Sequence, residues 1–336
     1  MGHITQSYRH ALVAAARHGH HKWFGVLLKM QSHQVQSHQV NKVDKNGRTL
    51  LYLAAEGGHD KVVKVLLEKE DINVNKADIY GRSPLYMAAR RGHDKVVRLL
   101  LEMGNIDVNQ VDECFGRNVL ISAASGAWKA RGKNCEVRKG ENCEVVKLLL
   151  GRADINVNKK DKHGKDALHW AVFSIFNNFE VAKLLLQRDD INVNQADENG
   201  FTPLYMAADD GNVKLVELLV GHKDIQLTKA IKSGDTPLSI AMKWGQSQAK
   251  YDSIVRIILE QLIKPQDENS TCIVCMDKRP EVVLVPCGHQ NMCSPCASQW
   301  DGEQKGCPMD RIKISGILPL EVGENPQSNS MSFHIP

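Results

Sequence analysis

The sequence predicts a mainly α protein: a solenoid of repeated helix pairs over most of its length, followed by a small α+β module held together by metal. Three observations predict it. A nine-residue core recurs with a period near 34 residues. Each recurrence opens with turn and helix-capping residues. Eight potential metal ligands then fall in pairs over the 39 residues from Cys272 to Asp310.

The repeat is read first from Gly47-Arg48-Thr49-Leu50-Leu51-Tyr52-Leu53-Ala54-Ala55, which returns as Gly81 to Ala89 and again as Gly200 to Ala208. The leading glycines stand at 47, 81, 116, 164, 200 and 234, so the spacings are 34, 35, 48, 36 and 34. One period with insertions accounts for all five. Each unit reads as a turn and two helices: Gly suits a positive φ, Thr or Ser caps the first helix, and Pro fits its first position. Thr202-Pro203 and Thr236-Pro237 carry that signature most fully. A Gly-His or Gly-Asn break ends the first helix, and a run such as Val62-Val63-Lys64-Val65-Leu66-Leu67 gives the second its apolar face. The 48-residue unit places 14 extra residues between Ala124 and Val145. A surplus of five before Gly47 coincides with the tandem Gln31-Ser32-His33-Gln34-Val35 and Gln36-Ser37-His38-Gln39-Val40, an insertion that a surface loop tolerates.

The Thr-Pro-Leu-Tyr-Met-Ala core, the Gly-His break and the Asp-Ile-Asn-Val-Asn segment resemble ankyrin repeats. Residues 1–262 are read as an ankyrin-repeat array of about seven helix pairs, with an insertion near 125–143. Asn118-Val119-Leu120 departs from the pattern. A linear array of helix pairs with protruding turns offers a long face to another protein, so a substrate protein on the ankyrin face is the expected partner, with a rigid spacer as the plainer alternative. His59 and His93, which follow the helix-ending glycine at one equivalent position, are expected to hydrogen-bond in the turn rather than hold metal. The basic run Lys129, Arg131, Lys133, Arg138 and Lys139 lacks aromatic interleaving and reads as a solvated loop. Cys135 and Cys143 match no usual zinc spacing and are expected as free thiols.

Composition adds limits. With 42% apolar residues, 24% charged residues and a net charge of +4, the chain resembles an ordinary soluble globular protein, and charge names no nucleic-acid partner. The early apolar run Ala11 to Ala16 is too short for a secretory signal and is followed by Arg17, His18, His20 and His21. No run approaches a membrane span, so no membrane partner is expected. Gln6 occupies the position at which a myristoylation signal requires Ser or Thr. Six of the nine cysteines lie between Cys272 and Cys307, a clustering that favours metal over disulfides. The expected compartment is the reducing cytoplasm, with the nucleus as its alternative.

Residues 263–271 form a polar linker containing Lys264-Pro265-Gln266-Asp267-Glu268-Asn269-Ser270. The module that follows runs Cys272-x2-Cys275-x11-Cys287-x-His289-x3-Cys293-x2-Cys296-x10-Cys307-x2-Asp310. Two tetrahedral structural zinc ions would use all eight ligands. So short a segment cannot fold on apolar burial alone, and structural zinc contributes on the order of 10 kcal/mol per site in finger peptides.

This order and spacing resemble a RING finger over residues 272–311, within a module of about 270–318. The resemblance implies interleaved sites: Cys272, Cys275, Cys293 and Cys296 around the first zinc, with Cys287, His289, Cys307 and Asp310 around the second. It departs at Asp310, where the family usually has Cys; the RING subunit of cullin ligases similarly ends its last pair in Asp, and a carboxylate is a competent zinc ligand. It further implies that Val274, Trp300 and Pro308 touch a ubiquitin-conjugating enzyme, the E2. Arg311 matches the linchpin arginine that bridges E2 and ubiquitin with a planar guanidinium. Residues 319–336 read as a flexible tail. The implied function is a RING-type E3 ubiquitin ligase whose repeats recruit a substrate and whose RING binds the charged E2. The chain would supply no nucleophile of its own. Two alternatives stay open: a non-catalytic ankyrin adaptor with a structural zinc finger, and a zinc-dependent nucleic-acid binder.

Overall fold

The computed structural model describes residues 2–30, 40–125, 141–173, 178–245, 249–263, 282–285, 289–292 and 316–319. Among them, fourteen helices follow one another in seven pairs. The first five pairs are α1 (Gly2–His18) with α2 (His21–Lys29), α3 (Leu50–Gly57) with α4 (Asp60–Leu67), α5 (Pro84–Arg91) with α6 (Asp94–Leu101), α7 (Val119–Ala124) with α8 (Glu141–Leu150), and α9 (Ala167–Val172) with α10 (Phe179–Leu185). The last two are α11 (Pro203–Asp209) with α12 (Val213–Val220), and α13 (Pro237–Gly245) with α14 (Ala249–Ile263).

The helices begin where capping chemistry dictates. Thr49, Ser83, Asn118, Asp166 and Thr202 sit in extended conformation, and each side chain accepts a hydrogen bond from the third helical amide, that of Tyr52, Tyr86, Ile121, His169 and Tyr205 respectively. Asn118 thus does the work of Thr in the unit whose motif departs from the others. Helices α3 and α5 end at left-handed glycines, Gly58 (φ 72°) and Gly92 (φ 75°), a conformation that a Cβ resists.

The chain divides into two compact units, Met1–Asn192 and Val193–Pro336. In the first, α1, α3, α5, α7 and α9 lie side by side as one layer, and α2, α4, α6, α8 and α10 as the other. The core between them is aliphatic and small: Leu51, Ala54 and Ala55 of α3 meet Val62, Val63 and Leu66 of α4, all fully buried. Alanine at the contact lets short helices approach closely enough to bury faces that neither could bury alone. In the second unit α11 packs on α12 and α13, and α14 on α12 and α13.

Turns project between the pairs. In the first unit each turn contains an aspartate whose carboxylate accepts backbone amides of the same turn: Asp44 from Asn46 and Arg48, Asp78 from Tyr80 and Arg82, and Asp161 from His163 and Lys165. Successive turns are laced together by Ile79 N–H to Asn46 O, Glu113 N–H to Tyr80 O and Lys162 N–H to Phe115 O. At Asp112 the amides bonded are those of Phe115 and Arg117, one residue further along. Gly116 follows Asp112 by four residues where Gly81 follows Asp78 by three. That one extra residue is the source of the 35-residue spacing. The two extra residues of the 36-residue unit fall before α10, where Asn178 N–H still reaches Ala171 O at 2.9 Å, the same closure that His93 N–H makes with Ala88 O. The other two insertions, between Ala124 and Val145 and at Gln31 to Val40, lie almost wholly outside the described residues.

The Asp-Ile-Asn-Val-Asn segments form a second lace. Asn75 Nδ2 donates to Asn105 O while its Oδ1 accepts from Asp107 N–H, and Asn109 makes the equivalent pair with Asp154 O and Asn156 N–H. Ile72, Val74, Ile106 and Val108 plug the core below.

Three strands complete the second unit: β1 (Val282–Val285), β2 (His289–Met292) and β3 (Gly316–Pro319), antiparallel in the order β2-β1-β3. Among the described residues no helix is long and apolar enough to cross a membrane.

Candidate functional site

In sequence the β1–β2 hairpin falls within the cysteine-histidine cluster. His289 opens β2 and pairs with Leu284. In sequence Cys287 stands two residues beyond Val285, and Cys293 directly follows Met292. Cys272, Cys275, Cys287, Cys293, Cys296, Cys307 and Asp310 lie outside the described residues, as do Val274, Trp300, Pro308 and Arg311. The donor set is six thiols, one imidazole and one carboxylate, which suits a borderline-soft tetrahedral ion. A short antiparallel hairpin is marginal without support.

The turns of the first unit define the repeat surface. There the turn carboxylates hold the next layer in register: Tyr52 Oη donates to Asp78 Oδ2 at 2.8 Å and Tyr86 Oη to Asp112 Oδ2 at 3.1 Å. Trp170 Nε1 likewise donates to Asp161 Oδ2 at 3.0 Å. Burial, with Asp112 beside it, pushes the Tyr86 hydroxyl up to about 12. Burial and the Asp78 hydrogen bond push Tyr52 up further. Burial alone would raise Asp78, but the Arg82 guanidinium, the Tyr52 hydroxyl and two backbone amides outweigh it and hold the carboxyl below its ordinary value. Asp78 and Arg82 form an ion pair with only 1% of the aspartate side chain exposed.

Outward from these carboxylates runs a row of cations over aromatic rings. Arg82 lies 4.7 Å from the centroid of Tyr80, and Arg117 lies 4.8 Å from Phe115 and 4.0 Å from Trp170. Lys165 lies 5.8 Å from Trp170 and 5.2 Å from Phe173. Tyr80 and Phe115 remain 46% and 49% exposed at the tips of adjacent turns. Nothing in the repeat period singles out these rings, because their exposure depends on which turn each neighbouring unit presents. The recurring Asp before each leading glycine was the available signal.

His59 and His93 hydrogen-bond as expected, although each reaches back to the preceding pair: Nε2 lies 2.9 Å from Arg17 O for His59 and 3.1 Å from Glu56 O for His93. Among the described residues no group of three or more His, Cys, Asp or Glu side chains could hold a metal ion. Cys143 is a free thiol, raised above its ordinary value by burial and by Glu180. Cys135 lies outside the described residues, with the basic run 129–139 around it.

Comparison with known proteins places both halves. A family model described as "Ankyrin repeats (3 copies)" matches residues 2–78, 135–197 and 174–271, and one described as "Ankyrin repeat" matches 80–113. A third, "Zinc finger, C3HC4 type (RING finger)", matches residues 268–317. That description counts seven cysteines and one histidine, whereas this chain has six cysteines there and Asp310. The ankyrin repeat domain of Bcl-3 superposes with a TM-score of 0.58 at 23% identity, covering 73% of this chain and 97% of that one. The human ASB11 ankyrin repeat domain gives 0.56 at 22% identity, covering 73% and 96%. "Putative E3 ubiquitin-protein ligase XBAT34" of Arabidopsis thaliana is 36% identical over 53 residues, 16% of this chain and 14% of that protein. "Putative E3 ubiquitin-protein ligase XBAT35", also of Arabidopsis thaliana, is 37% identical over 57 residues, 17% of this chain and 12% of that protein. The human "Baculoviral IAP repeat-containing protein 3" is 34% identical over 76 residues, 22% and 12% respectively. The matched segments thus span a small part of each relative's own length.

Proposed function

We propose, for a chain that belongs to the ankyrin-repeat family and carries a C-terminal zinc finger of RING type, the role of an E3 ubiquitin ligase that holds its substrate on the repeats. The observation that carries this reading is the joining of both modules in one chain, with relatives named as E3 ubiquitin-protein ligases matching part of it.

In this reading Cys272, Cys275, Cys293 and Cys296 hold one structural zinc ion and Cys287, His289, Cys307 and Asp310 a second. With four protein ligands on each ion, no position opens to substrate, and the zinc supplies folding rather than chemistry. Val274, Trp300 and Pro308 form the apolar contact for the E2. Arg311 bridges E2 and ubiquitin through a fork of donors that lysine lacks. The chain contributes no nucleophile: it lowers the entropic part of the barrier by holding the E2-linked ubiquitin ready for attack by a substrate lysine. The place of action in this reading is the cytoplasm or nucleus, where thiols stay reduced.

The test is discharge of ubiquitin from a panel of charged E2 enzymes to free lysine, using the full chain and its Arg311→Ala form in zinc-containing buffer. Stimulation by the wild type and its loss by about tenfold or more in the variant, the rate worth of roughly 1.4 kcal/mol, is the expected result. A second reading rests on Asp310 in place of the usual cysteine: a non-catalytic adaptor in which the finger only docks a partner. It predicts no stimulation with any E2 while the protein retains its zinc.

A further inference from the structure

The turns of the first unit are strongly biased in charge. The segments 41–48, 75–82, 109–117 and 158–165 contain ten Lys and Arg residues against five Asp and Glu. Four of those five acids, Asp44, Asp78, Asp112 and Asp161, point their carboxylates at backbone amides of their own turns, and Asp44, Asp78 and Asp161 also face Arg48, Arg82 and Arg117, which leaves the lysines as the surplus. Glu113 alone of the five is exposed. In the second unit the residue after the leading glycine is Phe201 or Asp235, where the first has Arg48, Arg82, Arg117 and Lys165.

Upon this bias sits the cation–aromatic row. Glu113 N–H bonds Tyr80 O at 2.9 Å, which sets the Tyr80–Arg82 and Phe115–Arg117 pairs on adjacent turns. Arg117 continues the row onto Trp170 and comes within 3.6 Å of Asp161. Its Nε is buried and faces the Asp161 carboxylate at that distance.

We propose that this strip, from Tyr80 to Lys165, is a docking surface for an extended acidic polypeptide segment with apolar residues between its carboxylates. The proposal rests on reading the repeats as the substrate-binding part of the molecule and narrows the substrate to that chemistry. Carboxylates match the surplus of cations on these turns, with Lys160 and Lys162 exposed while Arg82 and Arg117 already face Asp78 and Asp161, and the half-exposed rings of Tyr80 and Phe115 accept the apolar side chains between. Single-stranded nucleic acid fits less well. Its bases need a full open aromatic face for stacking, whereas Arg82 and Arg117 lie over Tyr80 and Phe115 and leave each ring about half exposed, room for an aliphatic side chain.

The test uses the full chain and fluorescence anisotropy with three labelled probes: a peptide of repeating Glu-Glu-Leu-Tyr, its Gln-Gln-Leu-Tyr counterpart, and a single-stranded oligouridylate. The acidic peptide should bind about tenfold or more tightly than the neutral one, and more weakly as salt is raised. Tyr80→Ser combined with Phe115→Ser should weaken it about tenfold, as should Lys162→Glu, a change at an exposed side chain, with far-UV circular dichroism unchanged. Equal binding of acidic and neutral peptides overturns the proposal, and so does tighter binding of the oligouridylate. Ubiquitin discharge to free lysine needs no strip, so it separates the two readings. Normal discharge without acidic preference removes the strip alone; acidic preference without discharge removes the ligase and leaves the strip.

Discussion

Asp78 is the residue on which the first unit's turns can be weighed. Its carboxylate takes two backbone amides, the Arg82 guanidinium and the Tyr52 hydroxyl, and so ties its own turn to α3, the first helix of the preceding pair. Because the folded carboxyl is held below its ordinary value, the stability it confers is present above that ordinary value and is lost as pH falls through the lowered one. Asp78→Asn keeps an acceptor for Tyr52 but removes the charge facing Arg82. Loss of a charged hydrogen bond in a buried place costs about 1.5–3 kcal/mol, so the variant should be that much less stable at neutral pH. Urea unfolding at neutral pH and in acid is the check. The two proteins should converge on acidification, and a difference that stays constant would mean the carboxylate is not charged in the folded state.

The helix pair owes its tightness to backbone positions that exclude side chains. Gly58 ends α3 at φ 72°, and a Cβ there would meet the His93 ring at 2.6 Å. That ring is held by its bond to Glu56 O. Gly234 has a similar φ of 92° yet nothing within 4 Å of such an atom. Gly234→Ala should therefore cost only the left-handed backbone penalty, about 1–2 kcal/mol. Gly58→Ala should cost that and a displaced histidine besides, with His93→Ala in the same chain recovering part of the excess. Differential scanning calorimetry of the three variants decides it, and equal costs for the two glycines would remove the ring from the account. The glycines themselves were legible in the sequence because a left-handed position admits little else, and so was the capping role of Thr49 or Thr202. The back-reach of His93 was not, since it joins residues 37 apart, a separation no local pattern encodes.

At the scale of the whole chain, the helical class was legible because a fixed period repeats the same local physics, with Ala54 and Ala55 recurring as Ala88 and Ala89 at the same close contact. The zinc-finger type was legible for the opposite reason: metal geometry demands ligands in short-range pairs, such as Cys272 with Cys275, whatever the fold around them. The cation–aromatic strip escaped, because Arg117 meets Trp170 only after two units stack. The same division governs how the molecule should come apart. The fourteen described helices lie within residues 2–263, and their core is aliphatic side chains such as Leu66, Leu100 and Leu149, each fully buried; among the described residues no group of three or more His, Cys, Asp or Glu could hold a metal ion. A repeat array takes its stability from its units and their neighbours, whereas a small metal domain draws its folding free energy from the ion. Removing zinc with a strong chelator should therefore leave the helical signal in far-UV circular dichroism nearly unchanged, abolish stimulation of ubiquitin discharge, and preserve binding of the acidic peptide to the first unit. Zinc released, counted with a colorimetric indicator, should come to two ions per chain if Asp310 completes the second site. Collapse of the helical signal on chelation would mean instead that the repeats depend on the metal domain for their fold.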